Sequence, residues 1–281
     1  MIVVTGATGN IGRTLVLLLA DADKDVVAVS RRPRPDAIPA GIGHASADIG
    51  DSASMRPVLE GADAFFILLG GELNAHGENP DALLEVALEA GVKRIVLLSS
   101  QLNSTRPTAP SHARLRAFEA AVRASGADFT ILRPSGFASN AYAWAESIRT
   151  KRTVYAPFAD VALPVVDPAD IAAVAAAALH EDGHEGRTYE LTGPEVISPR
   201  AQATALSRAL GEAITLVELS REQAHAQMAQ FMPAEVIDGT LDVLGFPLPA
   251  EQVISPDVAN VLHRPARPFG EWAAANVAAF Q

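Results

Sequence analysis

The first twelve residues place the strongest constraint on the fold of this chain. A short apolar run at residues 2–4 is followed by three glycines at every third position, Gly6, Gly9 and Gly12. Apolar residues at helical spacing continue from Asn10. A strand that turns through glycines directly into a helix is typical of a βαβ unit, because glycine permits both the tight turn and the close packing of the helix. The chain is therefore predicted to begin with the first strand and helix of an α/β sheet.

The same alternation recurs through the first half of the chain. Apolar runs bounded by turn residues alternate with segments of helical periodicity, some of which end at glycine. Strands that are apolar on both faces indicate a parallel sheet covered by helices. We predict an α/β fold with a Rossmann-type doubly wound parallel sheet. The predicted strands are residues 2–4, 26–29, 64–69, 94–98 and 129–132, with a weaker candidate at 43–47, and the predicted helices are residues 10–22, 52–59, 80–90 and 113–125.

The regular alternation of strands and helices ends after Pro134. Helical segments, many prolines and short strands such as residues 188–191 follow. This change predicts two domains. Residues 1–134 form the Rossmann domain, to which later segments can return, and residues 135–281 form a smaller C-terminal α/β lobe on the substrate side.

Composition argues against several classes of protein. The 22 basic residues are scattered and are outnumbered by 33 acidic ones, which gives a net charge of −11 and no basic patch for nucleic acid. The chain has no cysteine, so disulfides and thiolate metal sites are excluded. Its apolar runs are far shorter than the roughly 20 residues of a membrane span, and the start lacks the basic flank of a signal peptide. We expect a soluble, cytoplasmic protein without nucleic-acid or membrane partners.

The glycine-rich turn has the context of a dinucleotide-binding fingerprint, since it follows a strand and opens a helix. Gly6 permits the turn, Gly9 lets the backbone approach a diphosphate, and Gly12 lets the helix pack closely on the sheet. Amides at the start of the helix then face the anion. The residues predicted to bind the diphosphate are Gly6, Thr8, Gly9, Asn10, Ile11 and Gly12.

Two arginines, Arg31 and Arg32, follow the second predicted strand. NAD-specific folds place an acid about 20 residues after the glycine turn to bind the ribose 2′-hydroxyl. A guanidinium instead matches a 2′-phosphate. We predict NADP(H) as cofactor, with Arg31 as first contact and Arg32 as second; a solvated surface pair is the alternative. By position, Asp48 is expected at the adenine edge, and the residues expected beside the ribose are Leu68, Leu69 and Gly70.

The run from His180 to His184 matches the zinc-binding pattern HExxH. It lies at the end of a predicted helix, however, and Gly183 precedes the second histidine. The helical spacing that places two imidazoles on one face is therefore expected to be lost, and we predict no metal site.

Several stretches together resemble one family. They are TGATGNIG at 5–12, SRRP at 30–33, LLSSQ at 97–101, SGADFTILRPSGF at 125–137, PVVDPADIAAV at 164–174 and YELTGPE at 189–195. The chain resembles, over nearly its whole length, the NmrA-like atypical short-chain dehydrogenase/reductases and the quinone oxidoreductases of that type. The resemblance implies NADP(H) along the carboxyl edge of the sheet, with the nicotinamide near Ser99 and the segment from Pro134 to Phe137. It also implies a substrate pocket lined by Asn140, Tyr142 and Trp144.

Many relatives use a Tyr-x-x-x-Lys pair, in which the lysine lowers the pKa of a tyrosine that shuttles a proton. None of the three tyrosines here has a lysine four residues later. His112 and Arg116 have that spacing in a predicted helix, so His112 is the candidate proton donor; the alternative is that neither has a catalytic role.

The loss of a dedicated proton donor hinders the reduction of a quinone less than the reduction of a ketone. A quinone receives hydride to give a stabilised aromatic oxyanion that solvent protonates, whereas a ketone gives a basic alkoxide. With the resemblance, this argument predicts an NADPH-dependent oxidoreductase that transfers hydride to a quinone or a similar conjugated small molecule.

A catalytically inactive redox sensor is the alternative, because some NmrA-like proteins bind the dinucleotide without turnover and act through a protein partner. A lost Tyr-Lys pair fits such a protein. Aromatic residues after the predicted domain boundary suit a planar ligand instead, although they could equally form core; they are Phe137, Tyr142, Trp144, Tyr155 and Phe158.

Overall fold

The computed structural model describes residues 1–32, 38, 41–70, 77–230 and 232–281. In chain order the described elements are β1 (Ile2–Thr5), α1 (Asn10–Asp21), β2 (Val26–Ser30), β3 (Gly43–Ser46), α2 (Ser52–Leu59), β4 (Ala64–Leu68), α3 (Pro80–Glu89), β5 (Arg94–Leu98), α4 (Leu102–Thr105), α5 (Ala113–Ala124), β6 (Asp128–Pro134), β7 (Gly136–Phe137), α6 (Ala145–Lys151), β8 (Thr153–Pro157), β9 (Leu163–Val166), α7 (Pro168–His180), β10 (Arg187–Leu191), β11 (Val196–Ile197), α8 (Pro199–Leu210), β12 (Thr215–Leu219), α9 (Arg221–Met228), α10 (Ala234–Gly245), α11 (Asp257–Leu262) and α12 (Phe269–Ala275), with 3₁₀ turns at Pro110–His112, Ala138–Trp144, Pro249–Gln252 and Val277–Phe280.

The described chain divides into two compact units that are not continuous in sequence. The first comprises Met1–Thr108, His112–Pro134 and Pro168–Glu190, and the second comprises Ala109–Ser111, Ser135–Asp167 and Leu191–Gln281. Helix α7 and most of β10 therefore group with the first unit although they follow the predicted boundary at residue 134.

The first unit is built on one sheet in which seven described strands have the order β10-β6-β5-β4-β1-β2-β3. Strand β1 pairs in parallel with β2 on one side and with β4 on the other, and β4, β5 and β6 continue in parallel. Strand β1 is buried on both faces, as expected for a parallel sheet covered by helices. The predicted doubly wound α/β sheet is confirmed, and the weak candidate at 43–47 forms β3.

Strand β10 and helix α7 are later segments that return to the first domain, which the sequence prediction allowed without naming them. The strand predicted at residues 188–191 was assigned to the C-terminal lobe, but β10 lies at the edge of the seven-stranded sheet, beside β6. Helix α7 packs on α1 and on the neighbouring strands. Most of its residues are buried, and five of its 13 residues are buried alanines, whose small side chains let a helix approach its neighbours closely. This buried surface explains why the segment belongs to the first unit.

The second unit contains a three-stranded sheet, β11-β9-β7, and a separate parallel pair, β12-β8. Its core includes the buried side chains of Ile148, Phe269, Trp272 and Phe280. Ser198 caps the start of helix α8, because its side chain accepts a hydrogen bond from the Ala201 amide, and Gly211 caps its end in the left-handed conformation. No helix in the described part of the chain has the length and hydropathy needed to cross a membrane.

Candidate cofactor-binding site

The order of the strands reverses direction at β1, since the chain proceeds from it to β2 on one side and later returns to β4 on the other. In an open α/β sheet, ligands bind in the crevice at the carboxyl ends of the strands where this reversal occurs. A cavity of about 170 Å³ lies at this place. Its lining consists of Thr5, Gly6, Thr8, Gly9, Val29, Ser30, Arg31, Ala47, Ile49, Leu68 and Gly70.

The glycine-rich turn forms one wall of this cavity. Gly6 adopts a φ of 65°, which glycine reaches without the strain that a Cβ would bring, and its carbonyl accepts a hydrogen bond of 2.9 Å from the Gly9 amide. A Cβ on Gly12 would lie 2.2 Å from the Gly6 oxygen, so only glycine lets α1 start this close to the turn. The predicted roles of Gly6 and Gly12 match this geometry.

The start of α1 fits a diphosphate. Gly9 occupies the N-cap position, where no side chain caps the helix, and the first turn carries no acidic residue. A Cβ on Gly9 would meet only the Gly6 oxygen within 4 Å, at a tight 3.3 Å that a shift of a few tenths of an ångström relieves, so the missing side chain mainly leaves space in the cavity. Helix amides and the helix dipole favour an anion at such a position. The turn therefore offers room for the diphosphate of a dinucleotide, while the Gly9 amide donates to the Gly6 carbonyl and the Ile11 amide donates to Asn10 Oδ1 at 3.0 Å.

Thr5 fixes the carboxyl end of β1 to that of β4. Its hydroxyl donates to the Phe66 carbonyl at 2.8 Å and accepts from the Leu68 amide at 3.0 Å. Because Thr5 is buried, these hydrogen bonds are shielded from water. They hold the glycine turn beside the end of β4.

Arg31 and Arg32 are exposed at the end of β2, and Arg31 lines the cavity. Side chains of the neighbouring strands hold this backbone: the Ser30 hydroxyl donates to the Arg32 carbonyl at 2.8 Å, and the Ser46 hydroxyl donates to the Arg31 carbonyl at 3.3 Å. The structure thus places Arg31 at the end of β2, in the lining of the cavity. The contact itself, and that of Arg32, stay predictions.

Asp48 and Leu69 have local structural roles. Asp48 Oδ1 accepts a hydrogen bond of 2.9 Å from the Gly50 amide, while its neighbours Ala47 and Ile49 line the cavity. Leu69 packs in the hydrophobic core, between Leu68 and Gly70, which line the cavity. The adenine contact of Asp48 and the ribose contact of Leu69 are therefore predictions without support from the cavity lining.

A buried polar network lies around Ser99, directly after β5. The Ser99 hydroxyl donates to Glu119 Oε1 at 2.6 Å, and Asn103 Nδ2 donates to the Ser99 oxygen and to Glu119 Oε1, each at 2.9 Å. Arg133 binds both oxygens of Glu119, at 3.0 Å from Nε and 2.6 Å from Nη2. Burial alone would raise the pKa of Glu119, but the hydrogen bonds from Arg133, Ser99 and Asn103 outweigh it, and the pKa lies below its usual value. Glu119 is therefore ionised at neutral pH.

Sequence reasoning found Ser99 but missed Glu119, Asn103 and Arg133. A signal for Glu119 was present, because it lies on the buried face of α5 next to Phe118, and charged residues are seldom buried without a partner. Its partners come from α4 and β6, and no sequence spacing shows that these elements meet at the end of β5.

His112 ends the 3₁₀ turn that precedes α5 and is half-buried. Burial lowers its pKa, and the positive charge of Arg116 adds to the effect. The imidazole is therefore neutral at neutral pH. Catalysis by His112 stays a prediction.

The predicted substrate-pocket residues belong to the second unit. The Tyr142 ring packs against Trp272 and Phe280, with centroids 5.1 and 5.9 Å apart, and its hydroxyl donates to Asn276 Oδ1 at 2.6 Å. Burial and the charge of Asp167 raise the pKa of Tyr142, the opposite of the shift that a lysine partner produces.

The remaining predicted residues of this unit lie close in sequence to Tyr142. Asn140 is exposed, and Trp144 packs at the edge of the core. Phe137 is half-buried in β7, where it pairs with Val166 of β9. The substrate pocket stays a prediction.

The HExxH run does not have helical geometry. Helix α7 ends at His180, Gly183 has a φ of 93°, and His184 Nδ1 lies 2.9 Å from the Tyr189 hydroxyl. The two histidines therefore do not share a helix face as a zinc site of this kind requires.

Comparisons with known proteins agree with the geometry of the site. The model of a family described as NAD(P)H-binding matches residues 6–182. The chain is 37% identical over 283 residues to the (4-alkanoyl-5-oxo-2,5-dihydrofuran-3-yl)methyl phosphate reductase of Streptomyces griseus, covering 100% of this chain and 99% of the relative. It is 32% identical over 292 residues to the NAD(P)H azoreductase of Xenophilus azovorans, covering 100% and 99%.

A solved structure gives the same result. An NADPH-dependent quinone oxidoreductase from Escherichia coli, in complex with NADPH, superposes with a TM-score of 0.82 at 25% identity and covers 98% of this chain and 99% of its own. The fold and site define a Rossmann-type NAD(P)H-binding protein. The chain belongs to the NAD(P)H-binding family and is an NAD(P)H-dependent oxidoreductase. The predicted resemblance to NmrA-like atypical short-chain dehydrogenase/reductases and quinone oxidoreductases is confirmed.

The lowered pKa of His112 predicts how pH affects stability. Below about 6.5, the usual value of the group, the unfolded chain binds a proton that native His112 does not, so the free energy of unfolding rises with pH through this window. Urea unfolding of the wild type and His112→Gln between about pH 5 and pH 8 measures the effect. We expect the wild type to lose more stability than the variant as the pH falls below 6.5. If the free energy of unfolding depends on pH in the same way for the wild type and His112→Gln, this expectation is contradicted. His225→Gln on α9 is the control.

Proposed function

We propose that this oxidoreductase transfers hydride from NADPH to a quinone or another conjugated small-molecule acceptor whose reduction gives a delocalised anion. The main support for the proposal is a hydrogen bond: the Ser99 hydroxyl donates to the ionised Glu119 and is therefore not available as an acid. The sequence also lacks a Tyr-x-x-x-Lys pair. An acceptor that requires no protein acid fits these residues best.

The named relatives support this acceptor class. One reduces, by its name, a 2,5-dihydrofuran that carries a ring oxo and an alkanoyl group, the second is an azoreductase, and a third is a quinone oxidoreductase. A ring double bond beside carbonyl groups, an azo bond and a quinone are each conjugated, so added hydride leaves a negative charge that spreads over several atoms. Water can protonate such an anion without a general acid.

The chain's own residues bind and orient the cofactor in this mechanism. The turn at Gly6 and Gly9 binds the diphosphate, and Arg31 binds the 2′-phosphate. Bound NADPH supplies the hydride. The network around Glu119 keeps Ser99 in one orientation next to the end of β5, and solvent supplies the proton that completes the reduction.

Turnover with defined acceptors tests the proposal. Purified protein with NADPH is expected to oxidise it in the presence of quinones, measured as loss of absorbance at the nicotinamide band. Simple ketones should react at least about 10²-fold more slowly, because general acid catalysis contributes about that factor and the hydrogen of Ser99 is held by Glu119. If the protein binds the cofactor but reduces no conjugated acceptor, the result would contradict the proposed reductase activity and favour a redox sensor. Equal rates for ketones and quinones would contradict the proton argument.

Arg31 is expected to set the preference for the phosphorylated cofactor. Arg31→Ala should weaken NADPH binding by about tenfold or more, the worth of a charge-assisted hydrogen bond, and leave NADH binding unchanged. Titration with both cofactors measures the ratio. Arg56→Ala is the matched control, because Arg56 is also exposed in the first unit but pairs with Glu89 on the helical surface. An equal loss for both cofactors would show that Arg31 does not contact the 2′-phosphate.

A further inference from the structure

Strand order places Ser99 on the path of the cofactor's nicotinamide half, an inference that rests on the proposed function. The diphosphate lies at the end of β1, and Arg31 draws the adenosine half towards β2. The other half must then extend across β4 and β5, on the opposite side of β1. Leu68 at the cavity edge is the register partner of Leu98, which precedes Ser99. Adjacent strands lie about 4.8 Å apart, so Ser99 is one strand beyond the cavity.

The hydrogen bonds of the network leave the Ser99 hydroxyl able to accept one further hydrogen bond but not to donate one. A serine hydroxyl has one hydrogen and two lone pairs. The hydrogen goes to Glu119 Oε1 at 2.6 Å, and one lone pair accepts from Asn103 Nδ2 at 2.9 Å. The second lone pair remains. A ligand group that contacts the Ser99 oxygen must therefore be a donor, and the carbonyl oxygen of a substrate is disfavoured.

Glu119 fixes this direction of the Ser99 hydroxyl. A carboxylate accepts hydrogen bonds and cannot donate them, and Arg133 keeps Glu119 ionised through contacts of 3.0 and 2.6 Å. The same carboxylate orients the Asn103 amide, since Nδ2 donates to it at 2.9 Å. If the Ser99 hydrogen turned away from Glu119, two oxygen acceptors 2.6 Å apart would face each other without a proton between them.

The network lacks a donor within the described part of the chain. Asn103 Oδ1 is buried and has no hydrogen-bond partner there. Buried acceptors are nearly always paired, so an unpaired one is a site where a water or a bound group can donate a hydrogen bond. Both Asn103 Oδ1 and the second lone pair of Ser99 therefore indicate that the missing group carries N–H or O–H hydrogens.

We propose that Ser99 accepts a hydrogen bond from the carboxamide NH₂ of the nicotinamide, and that Glu119 is the positioning residue that fixes Ser99 as the acceptor. The carboxamide has two hydrogens, and it sits on the half of the cofactor that extends towards β5. Ser99 then sets the rotation of the nicotinamide ring, and it does not polarise the substrate.

Binding of two cofactor analogues tests this role without any acceptor substrate. The probes are NADP⁺ and its 3-acetylpyridine analogue, in which a methyl ketone replaces the carboxamide and no NH₂ remains. Isothermal titration of the full chain with each probe gives their affinity ratio. We expect the wild type to prefer NADP⁺ by about fivefold, the worth of one hydrogen bond. Ser99→Ala should lower the ratio to near one by weakening NADP⁺ alone.

Three further variants distinguish positioning from general loosening of the site. Glu119→Gln frees the Ser99 hydrogen to turn outwards and should shrink the preference, whereas Ser99→Thr keeps the hydroxyl and should retain it. Ser104→Ala removes a hydrogen bond of 2.9 Å to Glu190 at the edge of the network and should keep the ratio of the wild type. If Glu119→Gln does not fold, the comparison of Ser99→Ala with Ser99→Thr still shows whether the Ser99 hydroxyl accepts a hydrogen bond from the carboxamide.

Two outcomes would overturn the proposal: no preference in the wild type, or equal weakening of both probes by Ser99→Ala. Because the titration contains no acceptor, its result is independent of quinone reduction. If the protein prefers NADP⁺ over the analogue through Ser99 but does not reduce quinones, the inference about Ser99 holds and the proposed acceptor class is rejected.

Discussion

The approach of the Gly12 backbone to the Gly6 carbonyl is the constraint on which the rest of the site depends. No side chain larger than hydrogen fits between them, because a Cβ on Gly12 would lie 2.2 Å from that oxygen. This contact places the start of α1 next to the carboxyl end of β1, beside the cavity that Gly6 and Gly9 line. The hydrogen bonds of Thr5 to β4 and of Ser30 and Ser46 to the Arg31–Arg32 backbone then position the other walls relative to this turn.

The chemistry follows from a second constraint, the buried ion pair of Glu119 and Arg133. A buried carboxylate is stable only when it is paired and hydrogen-bonded, and here Arg133, Ser99 and Asn103 satisfy it together. The arrangement leaves the end of β5 with an acceptor and without an acid. The proposed reduction of a conjugated acceptor depends on this arrangement.

The sequence predicted the features that depend on neighbouring residues. The glycine turn, the buried strands and the arginines after β2 are local patterns, and the structure has them where they were expected. Features that depend on distant segments were predicted only in general terms or not at all. The sequence allowed later segments to return to the first domain without naming them, and the structure shows that helix α7 and most of β10 do so. The contact of Glu119 with Ser99 was not predicted, because it forms only through the fold. Asp48 and Leu69 were assigned by position at strand ends, where side-chain direction decides whether a residue faces the cavity or the core.

The central claim is that the bare backbone at the start of α1 holds the cofactor's diphosphate, and Gly9→Ala tests it most directly. The added methyl group meets only the Gly6 oxygen, at 3.3 Å, so the thermal unfolding midpoint should change little. It would occupy the space of the diphosphate, and titration with NADP⁺ should show an affinity reduced by at least about tenfold, a loss of 1.4 kcal/mol or more. Unchanged affinity in a folded Gly9→Ala protein would contradict the account.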